Sequence, residues 1–197
     1  MRHSWSGLIA LVAWAAFHHG ALAQDQTPSK GVDPTSLLQS ACVAHKAVFD
    51  DVLAYAKSTG WRVASAGAFP IPGAFQETAI LQSPDTNDLD GILLYVGHAN
   101  FPHQASSDVC MIGVRPGNYD DLRAKIQTWI GTTPSKQDPM GVAYAYQEIG
   151  GVRKNLPITT DQANRDAAFK NGPVYGVAVG HSNGMVMLLY SVTTHIN

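Results

Sequence analysis

Gly180-His181-Ser182-Asn183-Gly184 matches G-x-S-x-G, the pattern that in α/β-hydrolases places a nucleophilic serine on a sharp strand-to-helix turn. Such a serine works only beside a histidine base, itself oriented by a carboxylate, in the chain order serine, acid, histidine. After Ser182 there are 15 residues, with no Asp or Glu and with His195 as the single histidine. The region upstream lacks the run of βα units that builds a hydrolase sheet. Apolar segments flank the pentapeptide, and Asn-Gly between two such runs is a strong hairpin signal, because both residues tolerate positive φ in a type I′ turn. Ser182 is therefore expected in a hairpin between strands over 174–180 and 185–194. No catalytic residue is assigned.

Histidines offer the second chemistry. His98 and His103 flank Ala99-Asn100-Phe101-Pro102 near an expected strand end, and His181 is the third member of a possible cluster. Catalytic zinc takes three protein ligands and structural zinc four, so only proximity in the fold would make such a set. Thr86 to Gly97 fails as a calcium loop at both ends, with Thr at the first position and Gly at the twelfth, where a bidentate Glu is required. The sequence therefore implies neither metal nor cofactor.

Those residues have to be positioned by a chain that begins with an address. Arg2 and His3 precede the apolar run Gly7–Phe17, and Ala21-Leu22-Ala23 supplies an A-x-A site. That order is the pattern of a secretory signal peptide cleaved before Gln24. The apolar run is too short for the roughly 20 residues that a membrane-spanning helix needs. Loss of residues 1–23 removes one cation, Arg2, and leaves a formal charge of −3. A near-neutral chain without a basic block lacks the footprint of a nucleic-acid binder. Residues 24–32 read as a polar tail, and residues 33–197 as one domain.

Cys42 and Cys110 are the only cysteines. In an oxidising compartment a lone pair reads as a disulfide. Closing a loop of about 67 residues stabilises by roughly 4 kcal/mol in the chain-entropy model. Asp33-Pro34 begins a helix whose apolar stripe runs from Leu37 to Ala56 and includes Cys42, with Gly60 past its end. Asn118 caps a second helix, with Asp121 at N3 and Gly131 closing it. Strands are expected at 61–64, 75–82, 91–99, 108–115 and 142–149, before the closing pair. Tyr144 and Tyr146 share one face of their strand, and a covering helix decides whether they are core or an open aromatic platform. Short connections force antiparallel pairing. The fold class is therefore α+β: one largely antiparallel sheet of about five to seven strands, two main helices packed on it, and one disulfide.

The signal segment, the helix with Cys42 followed by Gly60-Trp61, the strand Asp108-Val109-Cys110 and the capped second helix resemble small exported proteobacterial two-cysteine α+β proteins of uncharacterised function. The resemblance implies export and the helix-to-strand bridge, and carries no catalytic residue. The expectation is a periplasmic or secreted, non-enzymatic module that binds a small molecule, a peptide or an envelope protein. It would bind no nucleic acid and keep no membrane span after signal cleavage. The alternative is an enzyme, serine hydrolase-like or histidine-metal, using Ser182 or clustered histidines.

Overall fold

The computed structural model describes residues 32–64, 75–84, 91–101, 105–158, 162–182 and 184–195. The expected signal segment 1–23, most of the expected polar tail, residues 85–90, His103 and Asn183 lie outside the described residues.

Asp33 opens the first helix as expected, its carboxylate accepting from the Ser36 N–H at 3.0 Å. Helix α1 (Pro34–Leu37) runs into a wider π-helical turn over Leu38–Val43. There the continuous helix suggested by the apolar stripe ends. Lys46 and Ala47 both take positive φ, 52° and 58°, and the Ala47 N–H bonds back to the Cys42 carbonyl at 2.8 Å. A left-handed non-glycine residue costs roughly 1–2 kcal/mol; here the turn buries Ala47 completely. Helix α2 (Phe49–Ser58) then starts afresh, with Asp50 and Asp51 in its first turn and Lys57 in its last, each facing the matching end of the helix dipole.

Among the described residues nine strands form one antiparallel sheet: β1 (Arg62–Val63), β2 (Phe75–Gln82), β3 (Gly91–Phe101), β4 (Ala105–Arg115), β5 (Lys136–Asp138), β6 (Gly141–Ile149), β7 (Val152–Asn155), β8 (Val174–Ser182) and β9 (Met185–His195). Their order is β1-β2-β3-β4-β9-β8-β6-β5, with β7 also on β6. This corrects the expected α+β balance of five to seven strands against two main helices: the sheet dominates, and the helical layer is short pieces. The unexpected strands are β5 (KQD) and β7 (VRKN). Neither alternates apolar with polar residues, and both exist by pairing with the flank of β6 away from β8.

The order holds a topological repeat. A helical segment followed by β1 to β4 makes one half. Helix α3 (Tyr119–Ile130) followed by β5, β6, β8 and β9 makes the other, with β7 and α4 (Gln162–Phe169) inserted. The halves meet at a seam of ten Cα pairs, from Ala105↔His195 to Val114↔Val186. No repeat in the sequence announces it.

Cores lie on both faces. On the helical face α1, the π turn, α2 and α3 bury Leu94, Val96, Ile112, Val179 and Leu188. Helix α3 forms as read: the Asn118 side chain accepts from the Asp121 N–H at 3.1 Å, and Gly131 ends it at φ 72°. Tyr144 and Tyr146 face this layer, each 1% exposed, so they are core and not a platform. The opposite face buries a smaller set around Ile80, Tyr95, Met111 and Leu189. There Gln147 donates to the carbonyls of Ala168 and Gly172 at 2.8 and 3.0 Å, docking the end of α4.

Cys42 and Cys110 are joined, with Cα atoms 5.5 Å apart and a sequence separation of 68. The bond ties the π turn to the middle of β4, and both residues are fully buried. No helix among the described residues is long and apolar enough to cross a membrane.

Candidate functional site

The hairpin reading of G-x-S-x-G holds. Ser182 pairs with Met185, Gly184 has φ 74°, and the chain continues as β9 to His195. A nucleophile elbow needs a helix after its serine; here a strand follows. The histidines do not converge either. His181 is exposed on the helical face, its ring centroid 4.5 Å from that of Tyr119. His45 packs against Tyr55, and His195 against Phe169. Among the described residues no three of His, Cys, Asp and Glu gather where a metal could sit.

His98 has other company. Strands β3 and β4 pair without a bulge, placing His98 opposite Asp108 and Asn100 opposite Ser106. Alternation along a strand puts all four residues on the face that carries Cys110 and Ile112, the helical face. The helical layer is pinned at Cys110, so these residues occupy the next two rows towards the end of the sheet. On the outer flanks of those rows stand Glu77 of β2, opposite His98, and Thr194 of β9, opposite Ser106.

Within this patch the side chains form a chain of contacts. His98 Nδ1 lies 2.7 Å from Asp108 Oδ1, and Ser106 Oγ lies 3.4 Å from His98 Nε2. A carboxylate only accepts, so Nδ1 carries the proton towards Asp108. In the neutral ring Nε2 is then the acceptor, and the serine hydroxyl donates to it. The first bond is short, as expected when the acceptor is ionised; the second is long. The His98 and Asp108 side chains each keep 28% exposure, so solvent and small solutes reach the imidazole.

The sequence reading singled out His98 but missed its partners. Ser106 and Asp108 are two residues apart, a spacing that puts both on one strand face. That spacing was the available signal. What joins them to His98 is the cross-strand register of β3 and β4.

No protein-family model matches this chain, and no curated protein or solved structure does so either.

Proposed function

We propose that this is an exported binding module, periplasmic or secreted, whose recognition surface is the polar patch of His98, Asn100, Ser106 and Asp108 at the end of the β3–β4 hairpin. The observation that carries the reading is the position of His98, held by Asp108 on one nitrogen and facing the Ser106 hydroxyl with the other. A side chain whose tautomer and rotamer are already fixed loses little freedom when it takes a ligand. The patch stands on a sheet with partners on both sides, and rigid elements hold such constellations better than loops do. Its donors and acceptors suit a small, carbonyl-bearing polar molecule. Export is supported by the A-x-A site after the short apolar run and by the disulfide, a bond that persists in oxidising compartments.

Two experiments test this. Mass spectrometry of protein from the periplasmic or culture fraction should find Gln24 as the N-terminus; an intact Met1 there sinks the export reading. Amide chemical shifts of the purified mature protein, titrated with a panel of small carboxylic acids, amides and esters, should move around His98 and Ser106 and stay still in His98→Ala. Shifts that are absent for the whole panel, or undiminished in His98→Ala, refute the surface.

A further inference from the structure

We infer that the same patch hydrolyses small carboxylic esters, with Ser106 as nucleophile, His98 as general base and Asp108 as the group that orients the imidazole. The inference rests on the patch being a ligand surface and adds chemistry to it. The order of contacts, hydroxyl to Nε2 and Nδ1 to carboxylate, is the order that nucleophilic serine catalysis requires, and it is recognised by geometry and role rather than by place in the chain. The long serine contact agrees with the role, because catalytic hydrogen bonds are often long before substrate arrives and tighten in the reacting complex.

The step balances without any other reagent. Ser106 Oγ attacks the ester carbonyl carbon as its proton passes to His98 Nε2. The tetrahedral intermediate collapses, the C–O bond to the alcohol breaks, and the alcohol leaves with the proton from Nε2. Water, deprotonated by the same nitrogen, then attacks the acyl carbon; the bond to Ser106 Oγ breaks, Nε2 returns its proton to that oxygen, and the acid is released. A half-buried patch suits small esters with good leaving groups. Peptides need the binding energy of an extended cleft to reach their transition state.

The test uses the oxidised mature protein with a fluorophosphonate probe, followed by peptide mapping, and with p-nitrophenyl acetate. We expect the label on Ser106, its loss in Ser106→Ala, and its retention in Ser182→Ala. Ester turnover should fall by about 10²–10⁴ in His98→Ala, the usual share of a general base. Mapping of the wild-type label needs no variant to fold. An unlabelled protein, a label elsewhere than Ser106, or turnover unchanged in Ser106→Ala overturns the inference. If the amide shifts persist while the label is absent, the chemistry is wrong and the binding surface stands; if both are absent, both fail.

Discussion

Asp108 and Cys110 stand on the same face of β4, one pleat apart, with their partners on different elements: His98 on the neighbouring strand and Cys42 in the helical layer. The covalent anchor of the helices thus ends where the polar patch begins. Everything from Cys110 towards Val114 on that face is covered and apolar, while Asp108 and Ser106 are half-buried.

Removing the anchor should destabilise the fold. The double variant Cys42→Ala/Cys110→Ala is expected to lose about 2–5 kcal/mol, the usual range for a native bridge in a small secreted domain. Urea unfolding of oxidised wild type and double variant measures it. An unchanged midpoint would mean that packing alone holds the π turn on β4.

Arg153 holds the far edge of the sheet. Its guanidinium carbon lies 5.2 Å from the ring centroids of both Trp129 and Tyr146, and Nη1 donates to the Trp129 carbonyl at 2.9 Å. The hairpin β6–β7 is thereby clamped to α3. Arg153→Ala should destabilise by about 1–3 kcal/mol, from lost cation–π contact and an orphaned carbonyl. Arg153→Lys should recover less than half, because an ammonium does not stack as a planar guanidinium does. Recovery of full stability by lysine would reduce the clamp to simple charge.

Core tyrosines set an alkaline limit. Burial pushes Tyr146 up to about 12, and burial, with Tyr146 and Tyr175 nearby, raises Tyr190 further. The unfolded chain ionises near the ordinary value of 10.0. These phenols therefore contribute full stability below about pH 10 and lose it as pH climbs towards the folded value. Phenolate absorbance should rise early for the less buried rings and then jump cooperatively with unfolding between about pH 10 and 12. A smooth titration of all tyrosines in the intact fold would contradict the buried ladder. Tyr146→Phe should soften the high-pH loss.

Gly117 is where the loop after β4 presses onto β9. A Cβ there would lie 2.7 Å from Val186 Cγ2 and 2.9 Å from the Val114 carbonyl oxygen. Valine in a sheet has little rotamer freedom, and the carbonyl belongs to a paired strand. Gly117→Ala should cost about 1–3 kcal/mol by overpacking, seen as a lowered midpoint with unchanged slope. A neutral effect would show that this loop moves freely off the sheet.

What could be read in the sequence was what local chemistry decides. The Asn118 cap with Gly131, the Asp33-Pro34 start, the Asn183-Gly184 turn and the cysteine pair each carry their own signal within a few residues. The break at Lys46 and Ala47 carries none: neither residue favours positive φ, and the apolar stripe runs on past it. Strands β5 and β7 are polar and are strands only because β6 offers a free flank. The site failed to show for the same reason. His98, Ser106 and Asp108 are legible as residue types, but register makes them neighbours, and register is a property of the pair of strands.

The seam between β4 and β9 has a consequence for how the chain comes into being. Residues 105–114 wait for partners at 186–195, which follow them by about 70 residues of intervening chain. Both cysteines, by contrast, belong to the first half. In a chain that emerges from its N-terminus, the bridge between Cys42 and Cys110 can close while β5 to β9 are still unmade, on a sheet of four strands whose innermost edge is open. That edge is the surface through which two nascent copies would pair with each other in place of their own β9.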